Sequence, residues 1–385
     1  MNPNAEFDIV VYGASGYTGR LVAEHFAQRY GLGGELKWAM AGRSAAKLAE
    51  ARDDIGAPAD TPVLIADAVD AASLRNMVRR AKAVLTTVGP YQLYGGDLVG
   101  ACVEAGTDYL DLCGEPNWMR RMIDAHEARA KASGARILFS CGFDSIPSEL
   151  GVWYCQETAQ KILGRPVPRV KGRIRAFKGG PSGGSLASGR ATMESVRKDP
   201  SQMAVMMSPF GLTPGFEGPA QPPAVEPETD PDVGAVAPFM MAVINTKNVH
   251  RSNLLMGHPY GRDFVYDEMI VLGASGPAGL KDLDSRLSAG PKPGEGPTKE
   301  ERDAGCFDVL FIGIAPDGRQ VRVSIDSNKD PGYGSSSKII AETAICLIHA
   351  PDVPGGIWTP GAALQGRLLD RLQRHAGLRF FAEEA

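Results

Sequence analysis

The chain has 385 residues, 43% of them hydrophobic and 22% charged, with a formal net charge of −4, which suggests two domains of an ordinary globular enzyme. The slightly acidic balance, with no basic run to reverse it locally, excludes general attraction to nucleic acid. No apolar run reaches the ~18 residues of a membrane span, the N-terminus has no signal-like segment, and six cysteines without a CxxC pair read as reduced, mostly buried thiols of a cytoplasmic protein. The six histidines are scattered, so no metal site is expected.

The first predicted strand is Phe7, Ile9, Val10 and Val11, and it ends at Gly13. A helix is expected from Tyr17, and between the two lies Gly-Ala-Ser-Gly-Tyr-Thr-Gly-Arg (13–20). Glycines at 13, 16 and 19 have the spacing of a dinucleotide-binding turn. The first reverses the chain, the second lets backbone approach a pyrophosphate, and the third lets helix pack on strand, while the helix N-terminus attracts phosphate. Gly13, Ser15, Gly16, Tyr17, Thr18, Gly19 and Arg20 are therefore candidate cofactor residues. The alternative is a strand–helix turn without a ligand.

A second strand through Leu36, Trp38 and Met40 ends at Ala41-Gly42-Arg43-Ser44. An NAD site usually has Asp or Glu here to hold the ribose 2′-hydroxyl. Here Arg43 stands in that place, with Lys47 one turn along the helix that starts at Ser44. A guanidinium suits a 2′-phosphate, so Gly42, Arg43, Ser44 and Lys47 predict NADP(H); the alternative is a pair of solvated charges at a helix start.

Strand three runs from Pro62 to Ala66 and ends in Asp67-Ala68; strand four runs from Ala83 to Val88 and closes at Gly89-Pro90-Tyr91. Helices follow each, through Leu74, Met77 and Val78 and then through Leu98, Val99, Cys102 and Val103. Strand five (Asp108 to Leu112), a charged helix over 117–132 and strand six (Ile137 to Cys141) complete the alternation. Alternating strands and helices predict an α/β fold, a Rossmann-type doubly wound parallel sheet, with ligands at the carboxyl ends of the strands. Asp67, Ala68, Gly89 and Pro90 join the candidate cofactor residues on that ground.

Beyond residue 165 the pattern changes. Val170 to Lys178 alternates as a half-buried strand, 185–198 reads as a helix, and 207–238, rich in Pro and Gly, as a long loop or lid. Residues 305–326 form the clearest hairpin, turning at Pro316-Asp317-Gly318. The expected organisation is an NADP-binding domain over 1–160, an α+β substrate or dimerisation domain with an antiparallel sheet over 165–330, and a C-terminal helical segment over 335–385 packing back on the first domain.

Several segments carry a resemblance. They include 13–20, Ala-Gly-Arg-Ser (41–44), Val-Gly-Pro-Tyr-Gln-Leu-Tyr-Gly (88–95) and Ala-Gly-Thr-Asp-Tyr-Leu-Asp-Leu-Cys-Gly-Glu (105–115). Further along come Gly-Phe-Asp-Ser-Ile-Pro-Ser-Glu-Leu-Gly (142–151), Gly-Gly-Ser-Leu-Ala-Ser-Gly (183–189), His-Arg-Ser-Asn (250–253) and Pro-Tyr-Gly-Arg-Asp-Phe (259–264). Asp-Pro-Gly-Tyr-Gly (330–334) and Gly-Gly-Ile-Trp-Thr-Pro (355–360) complete the set. With these, the chain resembles the saccharopine-dehydrogenase-like oxidoreductases, and within them the trans-acting enoyl reductase branch associated with bacterial lipid biosynthesis. The resemblance implies a Rossmann domain with an inserted sheet-containing domain, and it leaves the substrate open.

For chemistry, Tyr91 follows strand four where the nicotinamide half of the cofactor runs, and its phenol is a candidate proton donor, with Tyr94 three residues on. The alternative for either tyrosine is packing. Asp144, after strand six and before Pro147, is a second catalytic candidate and equally a helix N-cap. The opening glycine motif is also similar to that of N-acetyl-glutamyl-phosphate reductase, which needs a nucleophilic cysteine; Cys113 and Cys141 follow apolar strands without a nearby histidine and read as core. Arg190, Arg251 and Arg262 are candidate clamps for an anionic substrate, with structural ion pairing as the alternative. No Tyr-x-x-x-Lys pair of the short-chain dehydrogenase type stands at the expected place.

The reading that gathers these features is an NADP(H)-dependent reductase acting on an enoyl thioester or related lipid precursor, with a homodimer and peripheral lipid contact as expected partners. Two alternatives stand beside it: an amino-acid oxidoreductase of the saccharopine type, which needs converging arginines, and an NADP(H)-binding sensor without turnover. Met203, Met206, Met207, Met240 and Met241 favour the lipid reading only if they are not core.

Overall fold

A computed structural model describes residues 5–32, 34, 36–273, 291–292 and 294–384. The first strand, β1 (Phe7–Tyr12), leads into α1 (Tyr17–Tyr30), and the alternation continues through β2 (Trp38–Gly42), α2 (Ala45–Asp54), β3 (Val63–Ile65), α3 (Ala71–Arg79) and β4 (Ala81–Thr86). A single turn, α4 (Tyr91–Tyr94), precedes α5 (Gly96–Ala105), β5 (Asp108–Leu110), α6 (Pro116–Ser133), β6 (Arg136–Leu138) and α7 (Ile146–Leu163). β1, β2 and β4 at the centre are nearly all buried, as expected where helices cover both faces of a parallel sheet, while β3 at the edge buries only Leu64. β1 pairs in parallel with both β2 and β4, so the order reverses between them and a crevice opens at their carboxyl ends.

The second sheet begins at β7 (Arg169–Lys178). Then come α8 (Gly183–Lys198), α9 (Gln202–Met207), β8 (Glu228–Asp230), β9 (Gly234–Pro238), α10 (Ala242–Leu255), β10 (Val265–Val271), α11 (Lys299–Asp303), β11 (Cys306–Ile314) and β12 (Gln320–Ser327). It is antiparallel except for the parallel pair β7–β10. The 207–238 stretch, expected to be an irregular loop, instead ends in the β8–β9 hairpin at the edge of this sheet.

The last segment does more than pack as helices. After a π-turn at Pro331–Ser335 and α12 (Ser336–Ile348), β13 (Gly356–Trp358) joins the edge of the first sheet beside β6. α13 (Pro360–His375) then leads to β14 (Arg379–Ala382), which pairs with β12 in the second sheet. One apolar core runs through both sheets, from Ile9, Phe26 and Trp38 through Ile146 and Leu150 of α7 and Ile339 and Leu347 of α12 to Phe311 and Val323. The crevice above β1 and β4 is thus fixed relative to the second sheet.

Among the described residues, no helix is long and apolar enough to cross a membrane.

Candidate active site

The glycine turn is built as its spacing requires. Gly13 has φ +90°, a conformation that L side chains rarely adopt, and its N–H bonds to the Ala41 carbonyl. A Cβ on Gly19 would stand 2.2 Å from the Gly13 oxygen and 2.8 Å from Thr87 Oγ1, so only glycine lets the start of α1 close over the ends of β1 and β4. Gly16 at the helix N-cap is exposed, with Ser15 and Thr18 beside it partly open. Together they form a backbone cradle that fits a pyrophosphate. Two residues of the motif point elsewhere. Arg20 reaches Asp54 on α2 at 2.9 Å. The Tyr17 hydroxyl donates to the Pro297 carbonyl and accepts from Arg302, whose guanidinium lies over its ring.

At the end of β2, Gly42 is buried, and the Ser44 hydroxyl accepts the Lys47 N–H to cap α2. Arg43 and Lys47 project into solvent, and neither side chain has a hydrogen bond or ion pair among the described residues. No acidic residue stands in the strand-end segment Ala41-Gly42-Arg43-Ser44. On the neighbouring strand, Asp67 follows β3 and accepts the Val69 N–H, with the partly exposed Ala68 next to it. Two unpaired cations around this edge fit the 2′-phosphate of NADP(H).

Tyr91 sits at the expected strand end, but its hydroxyl is not available. It donates to the Thr86 carbonyl at 3.4 Å and accepts the Leu112 N–H at 3.1 Å, with the ring buried against Trp118. Burial pushes its phenol well above the usual range. Packing, not proton donation, is what this geometry supports. Gly89 and Pro90 line the crevice opposite α8, where a Cβ on Gly89 would come 3.6 Å from Ser188. Tyr94 is exposed on the outside.

Asp144 is not a helix cap. The α7 N-cap is Ser145, and the Asp144 carboxylate has no hydrogen bond among the described residues. It is partly exposed, and burial of its surroundings raises its pKa from 3.8 to about 6. Ser145 holds φ 151°, a strained setting for a serine. Its hydroxyl donates to Asn245 and accepts from Asn248, both on α10. Cys113 and Cys141 are fully buried and their thiols are pushed well up by burial, so neither is a nucleophile.

The three arginines do not converge. Arg251 is buried and donates to the Leu212 and Ile357 carbonyls, tying the 208–227 loop to β13. Arg262 is exposed and lies over Phe216, and Arg190 is exposed on α8. Of the methionines in α9 and just before α10, Met203, Met207 and Met240 are 46%, 71% and 47% exposed, while Met206 and Met241 are half-buried and Met241 packs against the core.

The sequence reading missed the groups that complete the crevice. Pro331–Ser335 brings Tyr333 edge-on to Tyr17, with ring centroids 5.1 Å apart. The Tyr333 hydroxyl accepts the Ser182 N–H and shares a hydrogen bond with Ser185 Oγ at 2.8 Å, both at the start of α8. Thr87, packed under Gly13, was missed as well. The signal for Tyr333 was present in Asp-Pro-Gly-Tyr-Gly (330–334), which has no periodicity to place it.

Residues 9–138 match the saccharopine dehydrogenase NADP-binding domain. A Mycobacterium tuberculosis protein provisionally named a trans-acting enoyl reductase is 37% identical over 95% of each chain. The trans-acting enoyl reductase of Mycobacterium ulcerans is 33% identical, over 95% of this chain and 96% of that one. Among solved structures, saccharopine dehydrogenase (L-Glu forming) from Saccharomyces cerevisiae covers 98% of this chain and all of its own, with a TM-score of 0.56 at 10% identity, which speaks for the fold alone.

Proposed function

Because this chain belongs to the family of the trans-acting enoyl reductases, with the NADP-binding domain of saccharopine dehydrogenase at its N-terminal end, we propose that it reduces the carbon–carbon double bond of an enoyl thioester with NADPH. When bound, the cofactor supplies the hydride. The Gly13–Gly19 turn would hold its pyrophosphate, and Arg43 and Lys47 its 2′-phosphate, while Thr87, Gly89 and Pro90 flank the path of its nicotinamide half. Asp144, a carboxyl without a hydrogen-bond partner among the described residues that follows β6, is a further acid–base candidate on the strand-end side of the site.

The observation that carries the enoyl reading over the amino-acid one is the arginine placement. An amino-acid substrate of the saccharopine type needs carboxylate clamps, whereas Arg251 is spent on backbone carbonyls, Arg262 lies over Phe216 and Arg190 is exposed on α8. The exposed Met203 and Met207 of α9, with Met240 ahead of α10, instead offer an adaptable apolar surface for an acyl chain or a lipid. A cytoplasmic setting, where NADPH and free thiols coexist, and a homodimer belong to the same proposal.

The test supplies NADPH with trans-2-enoyl thioesters in one series and with 2-oxo acid and amino acid pairs in another. NADPH loss with a saturated thioester product in the first series alone supports the reading. Loss only in the second would replace it with the amino-acid reading, and cofactor binding without loss in either would leave a sensor.

A further inference from the structure

Resting on the enoyl reading, we infer that the Tyr333 hydroxyl grips the thioester carbonyl and delivers the proton to the substrate α-carbon, with Ser185 linking it to solvent. Tyr333 lies where such a group must lie. Its ring rests edge-on to Tyr17 within the phosphate turn, and its own turn is bonded through Ser336 to Phe143, the residue before Asp144. It therefore spans the interval between the pyrophosphate and the strand ends toward which the nicotinamide half runs.

The turn that carries the side chain is fixed by its backbone hydrogen bonds. The Asp330 carboxylate accepts the N–H groups of Tyr333 at 3.0 Å and of Gly334 at 2.6 Å, fixing the π-turn, a geometry that recurs at functional sites. The Tyr333 carbonyl accepts the Ser337 hydroxyl, and Ser336 accepts the Phe143 N–H, so the turn is docked directly beside Asp144.

Burial raises the Tyr333 phenol above its ordinary pKa, so the hydroxyl carries its proton in the resting site. It accepts a backbone N–H at the N-terminus of α8, a helix of 16 residues, and that bond and the helix dipole offset part of the burial and favour the phenolate once the proton has left. Its other partner, Ser185, is exposed, so the pair connects a buried phenol to water. Tyr91, by contrast, spends its hydroxyl on two backbone groups in the core.

The step balances. The new C–H bond at the β-carbon takes the hydride electron pair as the C=C π bond breaks. That π pair moves onto the thioester carbonyl as an enolate, which the Tyr333 hydroxyl stabilises. As the carbonyl re-forms, the α-carbon bonds to the phenol's proton, and the phenolate regains one from solvent through Ser185.

The test uses Tyr333→Phe, which keeps the ring against Tyr17 and removes only the hydroxyl, and Ser185→Ala. Calorimetry measures binding of octanoyl-CoA, the unreactive product, to the NADP⁺-loaded protein, and rapid mixing follows a single turnover of trans-2-octenoyl-CoA. For Tyr333→Phe the account expects octanoyl-CoA to bind about tenfold more weakly, the scale of one lost hydrogen bond. The chemical step should fall ~10²–10⁴-fold, with NADPH affinity within about threefold of the parent as the sign of an intact fold. Ser185→Ala should slow the step with binding unchanged. A Tyr333→Phe protein that turns over within about threefold of an active parent, or that binds octanoyl-CoA as tightly, overturns this assignment and leaves the enoyl reading standing. A parent that binds NADPH yet neither reduces the enoyl thioester nor binds octanoyl-CoA overturns both.

Discussion

Arg43→Ala isolates the preference for NADPH in one side chain. Arg43 is exposed and makes no hydrogen bond or ion pair among the described residues, so its removal breaks nothing in the free protein. Stability should change by less than ~0.5 kcal/mol. A charge-assisted hydrogen bond to the 2′-phosphate contributes ~1.5–3 kcal/mol, so NADPH should bind roughly 10- to 150-fold more weakly. NADH, which lacks that phosphate, should bind as before. Because the contact is solvent-exposed, added salt should weaken NADPH binding to the parent more than to the variant. Lys47→Ala should show the same pattern more weakly, since a lysine makes no bidentate contact. Titration calorimetry of the parent and both variants with each cofactor, at low and at raised salt, gives these affinities. Equal NADPH and NADH affinities in the parent, or an equal loss of both in Arg43→Ala, would refute the reasoning.

Gly19→Ala drives a methyl group to 2.2 Å from the Gly13 oxygen. It should abolish NADPH binding and cost ~1–3 kcal/mol of stability by overpacking, read by calorimetry and thermal melts. Tyr91→Phe leaves the half-buried Leu112 N–H without its acceptor. It should therefore lower stability by ~1–3 kcal/mol while single-turnover rates stay near those of the parent; a rate loss of two decades would restore Tyr91 as a proton donor. Glu149, whose Oε2 accepts from Ser252 and Gly361, has its pKa raised by burial from 4.5 to about 8. Its folded form thus holds the proton more tightly than the unfolded chain, and the stability it contributes is complete below about pH 4.5 and lost as pH rises through about 8. The stability difference between Glu149→Gln and the parent, followed by denaturant unfolding, should shift in favour of the variant by a few kcal/mol, roughly, across that window; a constant difference would contradict the raised pKa.

The first half of the chain was legible because its signals are local. Glycine spacing, the Ser44 cap and buried strands such as Ala39-Met40-Ala41 each depend on near neighbours in sequence. The direction of the Tyr91 ring was not legible, since Trp118 and the Leu112 N–H decide it from 27 and 21 residues away. The edge strands were missed for a different reason. β8 and β13 have three residues each, too few for alternation to show. α10 escaped because its buried face is polar: Asn245, Lys247, Asn248, His250, Arg251, Ser252 and Asn253 are all buried, which erases the amphipathic pattern. Tyr333 lay in a quoted motif, but only the fold brings it to Tyr17, 316 residues earlier in the chain.

The central claim is that a hydride passes from NADPH to the β-carbon of an enoyl thioester in the crevice above β1 and β4. Its most direct test offers trans-2-octenoyl-CoA with NADPH deuterated at the pro-R or the pro-S position of C4 and locates the label in the product by mass spectrometry. The account predicts one deuterium at the β-carbon from one of the two cofactors, and α-carbon deuterium only when the solvent is D₂O. Label retained on the cofactor with both forms, or found at the thioester carbon, would contradict it.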